Sequence, residues 1–432
     1  MLDQIAETSY FGYTGIFIFL FMGQLLYLKN KIWNLFDPLI LIIINISFNA
    51  TIILFLFIND KIDNIIAIYV IVSTLFFCLG LNRIKIKSSQ LVITSIKAFG
   101  LSPKVTVIFI FVSLFYQLIA MIFMYKVIGF GIITGVVNPD LIKVTLTQDG
   151  MGIFRHIGVA GDLLFVPLLV YAFFTYKMHR LVTVCVVFYA LKFIVFPMSK
   201  SGLVFLVFDL GILMQFYKAN YNYTILKTNN LILIAAAGLI PALIVLVNIT
   251  ATYETTIPSI LINRFIVTGQ GTYQYFVSGG MFVFENITIF EKFNYYFDTI
   301  LSTLKIKQWE EMSYMAKMSY ELTGVYSPGF GDNPYLYLDG HFLFGLCGVF
   351  YCYLIGSIIA FTRSLTCNIL VFYLMVKISS ALVGDPAIVQ AQFFALLCYL
   401  PLVTLLYMGA KATNTQLNWN LKNILPLKNC IP

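Results

Sequence analysis

A few short segments of this sequence carry the side chains best suited to chemistry. The turn Ser199-Lys200-Ser201-Gly202 sets an ammonium group between two hydroxyls where an apolar stretch begins. A helix starting there offers free backbone N–H groups and positive potential, and the side chains add donors that suit a phosphate. The same residues also read as an ordinary helix cap with a lysine at the membrane interface. Arg155-His156 closes one polar segment, and Arg264 opens another, Asn263-Arg264-Phe265-Ile266-Val267-Thr268-Gly269-Gln270-Gly271-Thr272-Tyr273. A guanidinium is a planar fork of fixed charge, the geometry of bidentate phosphate recognition, although an arginine at a membrane boundary also serves as a plain lipid anchor. A further cluster runs from Gly331-Asp332-Asn333-Pro334-Tyr335 through Asp339-Gly340-His341 to Gly345-Leu346-Cys347-Gly348. There His341 is either a general base or a charge partner, and Asp332 or Asp339 orients or activates a hydroxyl. The plainer alternative is a capped helix start with a hydrogen-bonded histidine. Gln270, Tyr273, Asp332 and Tyr335 are the candidate substrate contacts in these segments.

Ionisable groups within apolar runs are expensive and therefore informative, which singles out Asp162, Lys192, Lys200, Asp209 and Lys377. The lysines can also extend their stems toward an interface, and Asp209 reads most simply as one half of an ion pair with a lysine in the bundle. No histidine, cysteine and carboxylate set shows metal-ligand spacing, so neither a metal nor another cofactor is expected. No GxxxxGK[ST] loop occurs, which argues against a primary pump.

These residues sit in a chain that is 60% hydrophobic and 11% charged, with mean hydropathy +0.90. Soluble domains are usually about 25% charged. The net charge of +8 comes from lysines and arginines scattered over short loops, not gathered on a face as nucleic-acid binding requires. Apolar runs of membrane-crossing length lie near 9–28, 38–58, 64–81, 105–125, 157–176, 181–198, 202–217, 230–250, 341–362, 368–384 and 388–409. An all-α polytopic membrane protein of about 11 transmembrane helices is therefore expected. The acidic start, Met1 to Glu7, lacks the basic region of a signal peptide, so the first run reads as a retained span.

Lysine and arginine concentrate on one set of loops (Lys29, Lys31, Arg83, Lys85, Lys177, Arg180, Arg363, Lys411) with Asp37 as its one acid, which makes that side cytoplasmic. The expected organisation is residues 1–250 as eight helices with an outside loop at 126–156, then a long outside loop at 251–340. Residues 341–410 form three further helices and 411–432 a cytoplasmic tail. The long loop is too rich in tyrosine and phenylalanine for disorder and should form a packed aromatic layer on the membrane. On the inner side, basic and apolar residues alternate through 82–104, a pattern suited to anionic lipid headgroups.

The layout, the Lys200 turn, the Arg264-to-Tyr273 segment and the Pro334…Gly340-His341…Gly345-x-x-Gly348 run together resemble the O-antigen polymerase (Wzy-type) family. The resemblance implies a GT-C-like inverting glycosyltransferase of the bacterial inner membrane that works without a metal. Its substrate would be an undecaprenyl-pyrophosphate-linked oligosaccharide at the periplasmic face, and a chain-length regulator protein would be a partner. It implies Arg155, Arg264, Lys200, Ser199 and Ser201 as pyrophosphate ligands, and Arg264, His341 and Asp339 as catalytic residues. This chain has Lys200 where the family often has arginine, and Phe342 where related O-antigen ligases often have asparagine after the histidine. An O-antigen ligase is the nearest enzymatic alternative, and a lipid-linked oligosaccharide flippase the nearest transporter; the long 251–340 loop disfavours the flippase. Arg264→Ala is expected to abolish polymer on a surface-polysaccharide gel at unchanged protein level, and full-length polymer would remove Arg264 from the site. Lys200→Arg should be tolerated where Lys200→Ala is not; equal loss in both indicates packing.

Overall fold

The computed structural model describes residues 10–32, 37–83, 103–128, 152–195, 209, 211, 213, 269–304, 306, 314–324, 335–364, 369–384, 389–390, 393–399, 401 and 404. Among them no strand occurs. The long helices are α1 (Tyr10–Leu28), α2 (Pro38–Ile58), α3 (Asn64–Arg83), α4 (Pro103–Ile128), α5 (Gly152–Tyr176) and α6 (His179–Val195). Short helices α7 (Gln270–Phe276), α8 (Ile289–Tyr296), α9 (Asp298–Thr303) and α10 (Tyr314–Thr323) follow, then α11 (Leu336–Phe344), α12 (Gly348–Ser364) and α13 (Ile369–Ala381). Six helical stretches among the described residues are long and apolar enough to cross a membrane, α11 and α12 counting together as one. The protein is thus a helical membrane protein. The runs at 202–217 and 230–250, the segment 82–104 and the tail 411–432 lie wholly or mostly outside the described residues, and half of the run at 388–409 does.

Two compact units make up the chain. One comprises 1–88, 243–364 and 377–390; the other comprises 89–242, 365–376 and 391–432. In the first unit α3 and α12 approach to backbone distance because glycines face each other. A Cβ on Gly80 would fall 2.9 Å from the Ser357 nitrogen, and one on Gly356 would fall 3.0 Å from the Leu81 nitrogen. Such small-residue contacts are how helices associate where lipid supplies no hydrophobic drive. In the second unit α4 and α5 meet similarly, with Gly158 against Ala120 and Gly161 against the Ser113 carbonyl.

In the first unit Asp37 caps α2 by accepting from the Leu39 N–H at 2.9 Å, with Pro38 in the first helical position. Arg363, in the last turn of α12, donates to both oxygens of that carboxylate at 2.9 and 2.6 Å and to the Lys31 carbonyl at 3.0 Å. Arginine and aspartate are 1% and 0% exposed. The fork satisfies a charge that burial would otherwise make prohibitive.

The ninth span was expected from residue 341, with the preceding loop running to 340. The helix instead starts at Leu336, so His341 lies within it. The physical reason is that Tyr337 is held as helix by α3: Tyr69 donates its hydroxyl to the Tyr337 carbonyl at 2.9 Å, and Thr74 and Tyr337 hydroxyls share a hydrogen bond at 2.6 Å. The helix then breaks at Gly345, whose φ of 59° suits glycine. Across the break Gly340 and Gly348 touch; a Cβ on Gly348 would sit 2.7 Å from the Tyr69 hydroxyl. Aromatic rings from residues 280–323 pack against α11, with Tyr314 stacked on Phe342 at 4.3 Å and Phe284 edge-on to Phe342 at 5.1 Å.

Arg363→Met should destabilise the protein by about 3–5 kcal/mol, because it strands the buried Asp37 charge. Thermal unfolding in detergent checks this, and Asp37→Asn/Arg363→Met should recover part of the loss. An unchanged melting temperature in Arg363→Met would show that the pair does not tie α2 to α12.

Candidate active site

The chemistry-bearing residues of the first unit converge on α11. Asp339, 2% exposed, is the centre of a tyrosine network. One carboxylate oxygen accepts the Tyr314 hydroxyl in a very short hydrogen bond, and the other accepts the Tyr351 hydroxyl at 3.4 Å. Tyr351 and Tyr296 hydroxyls share a further hydrogen bond at 3.0 Å, so the chain α10–α11–α12–α8 is closed by hydroxyls. Burial, reinforced by the Asp339 charge, pushes the Tyr314 phenol well above its usual range. Tyr314 therefore remains a donor at neutral pH, the state a buried carboxylate needs beside it. Expected to act on substrate, Asp339 is instead enclosed, and its geometry is that of a group that positions tyrosines.

His341 stands two residues on, half-buried, and faces other neighbours. Its Nδ1 is 3.0 Å from the Tyr275 hydroxyl of α7. The rings of Tyr69, Phe276 and Tyr275 meet the imidazole edge-on at 5.3, 5.3 and 5.6 Å. Burial and then the Asp339 charge raise the Tyr275 phenol above its usual range, so this hydroxyl also keeps its proton. A hydrogen bond on Nδ1 fixes the ring plane and leaves Nε2 as the nitrogen for other work. Cations stand close by: Lys292 of α8 lies over the Phe342 ring at 5.8 Å. Lys317 of α10 donates to the Tyr295 hydroxyl at 2.6 Å and sits 4.8 Å over that ring. Half-buried lysines on aromatic faces are held in position with their charge retained.

Gln270 and Tyr273, expected to contact substrate, lie on α7, the helix that carries Tyr275; both are half-buried. Tyr273 packs toward Tyr13, Ile52, Phe55 and Leu56. Tyr335, expected in the same role, is 1% exposed, and its backbone N–H donates to the Val383 carbonyl at 2.9 Å. It packs in the core of the first unit. Arg264, Lys200, Ser199, Ser201 and Asp332 lie outside the described residues. Arg155 is placed by its backbone in the first turn of α5, in the second unit. In that unit Asp209, expected to pair with a lysine, accepts the Tyr373 hydroxyl at 3.0 Å.

Tyr275, Tyr296, Tyr314, Tyr351, Lys292 and Lys317 were not singled out by their sequence positions. The density of tyrosine between 270 and 340 is a signal for the layer as a whole. Which hydroxyl meets which acid depends on partners as far apart as Tyr275 and His341, and no local pattern encodes that. Compared with known proteins, the chain matches no protein family, no curated protein and no solved structure.

Tyr314→Phe takes a donor from the buried Asp339 carboxylate and should cost about 1–3 kcal/mol in thermal unfolding. Asp339→Asn in the same background should restore part of that, since a neutral amide tolerates burial better. Full stability in Tyr314→Phe would mean that Asp339 is held by other groups.

Proposed function

We propose that the protein is a polysaccharide polymerase of the O-antigen polymerase type. It would move a growing glycan from undecaprenyl pyrophosphate onto a new lipid-linked repeat unit at the outer face of the membrane. The observation that carries this reading is the half-buried His341, fixed through Nδ1 by Tyr275 and flanked by Lys292, in the helix α11 that leads through the Gly345 break into α12. A lipid-linked donor places its pyrophosphate at that depth, at the end of an apolar anchor. The long aromatic layer supports the reading further, since aromatic faces suit sugar rings.

In the proposed reaction the acceptor hydroxyl oxygen forms a bond to the anomeric carbon as the bond from that carbon to the phosphate oxygen breaks. The pyrophosphate leaves with the electron pair, and inversion follows from attack opposite the leaving group. For His341 to take the acceptor proton on Nε2, its Nδ1 must carry hydrogen and donate to the Tyr275 oxygen. Lys292, and Arg264 and Arg155 as the resemblance implies, would stabilise the charge that develops on the pyrophosphate. Asp339 would act through Tyr314 and Tyr351 by holding the layer in place.

The test is deletion of the gene in its host, with the surface polysaccharide resolved on a silver-stained gel. Lipid core bearing a single repeat unit supports polymerase. Core with no repeat indicates a ligase or flippase and removes the proposal. Complementation with His341→Ala should reproduce the single-repeat band. Lys292→Ala should shorten the chains, with about tenfold or greater loss of polymer expected if its charge meets the leaving group.

A further inference from the structure

The helix α12 exposes apolar residues along one face, and further exposed apolar residues lie on α8 and at the end of α11. Phe350, Leu354 and Phe361 are exposed on α12 at spacings that place them on one helix face. In a spanning helix such a face meets acyl chains. In the break above it Phe344 is also exposed. Phe293 of α8 meets Phe344 edge-on at 6.2 Å and is stacked with Phe297 at 6.2 Å and 5°. One turn earlier on α8, Phe290 is 79% exposed, with Ile289 exposed beside it.

The rest of α8 is arranged for a surface that is apolar on one side and wet on the other. Glu291 is held in a capping box: the Thr288 N–H donates to its carboxylate at 2.7 Å, and the Glu291 N–H donates to the Thr288 hydroxyl at 3.3 Å. Those bonds, from the backbone first, hold its carboxyl below the usual range, so the charge stays at the helix start. Lys292 turns its ammonium over Phe342. Phe344 belongs to the apolar stretch that is long enough to cross a membrane, so the Phe293 ring against it borders that stretch.

We infer that α8 is an interfacial helix, with Ile289, Phe290, Phe293 and Phe297 immersed at the boundary between headgroups and acyl chains of the outer leaflet. Lipid covers this face, because its Phe293 packs against Phe344 of the apolar stretch long enough to cross a membrane. The helix thereby sets the height of the aromatic layer and puts Lys292 at the depth of lipid phosphates. The inference stands independently of the glycan-transfer reading.

The experiment uses full-length protein with Trp33, Trp309 and Trp419 replaced by phenylalanine, reconstituted in vesicles of phosphatidylethanolamine and phosphatidylglycerol. A single tryptophan is introduced as Phe290→Trp, as Phe297→Trp, or, for reference, as Glu321→Trp at an exposed charged position. Quenching by phosphatidylcholine brominated near the glycerol end of its chains should be about twofold or more stronger at 290 and 297 than at 321. Free access of aqueous iodide to position 290, without lipid quenching, would overturn the inference. Protection from both quenchers would also overturn it, since a protein surface would then cover the helix. Two positions are probed so that misfolding of one variant, seen by size exclusion, leaves the other to decide.

Discussion

The approach of α3 and α12 to backbone distance governs what happens at both ends of the first unit. Gly80 and Gly356 face each other across that contact, and a methyl group at either would meet main-chain atoms. With no hydrophobic drive between helices in lipid, close packing and the hydrogen bonds it permits supply the association energy. Only at that separation do Tyr69 and Thr74 reach the carbonyl and hydroxyl of Tyr337 and hold α11 against α3. The same alignment brings the end of α12 to the Asp37 cap, so a buried arginine finds its carboxylate without an unpaired charge on either side.

Beside the start of α12 the constraint is the reverse of an ion pair. Asp339 is a nearly inaccessible carboxylate whose shown partners are phenols, not cations. Burial keeps Tyr314 protonated, and a protonated phenol beside a carboxylate satisfies it by donation while adding no charge. The lysines of the layer, Lys292 and Lys317, are set over aromatic rings instead, where their charge remains available to an anion. The charged groups are thus separated in space: the carboxylate is enclosed by phenols, and the lysines lie over aromatic rings.

The break at Gly345 makes this separation possible. A continuous helix from Leu336 to Ser364 would carry Asp339 and His341 straight up from the span. The positive φ there and the Gly340–Gly348 contact turn α11 over the top of α12, against α7 and the layer. His341 then looks into the rings of Tyr69, Tyr275 and Phe276, while Asp339, nearly opposite on the helix, looks into Tyr314 and Tyr351.

By itself the sequence determined that the chain is a helical membrane protein, because a run of apolar residues near bilayer length has one stable answer. The run at 38–58 is the helix Pro38–Ile58, and those at 9–28, 64–81 and 157–176 differ from their helices by a few residues. It also determined the aromatic layer, since so many tyrosines and phenylalanines outside the spans must bury one another. The start of α11 was misplaced because Tyr335 and Tyr337 look like interfacial residues until Tyr69, Thr74 and Val383 are seen to satisfy them. Of the site, His341 and Asp339 were legible as ionisable groups beside an apolar run. That one is enclosed by phenols and the other is fixed by Tyr275 was decided by tertiary structure alone. Those partners come from helices far away in the chain, and a hydrogen bond between them leaves no periodicity for a sequence to show.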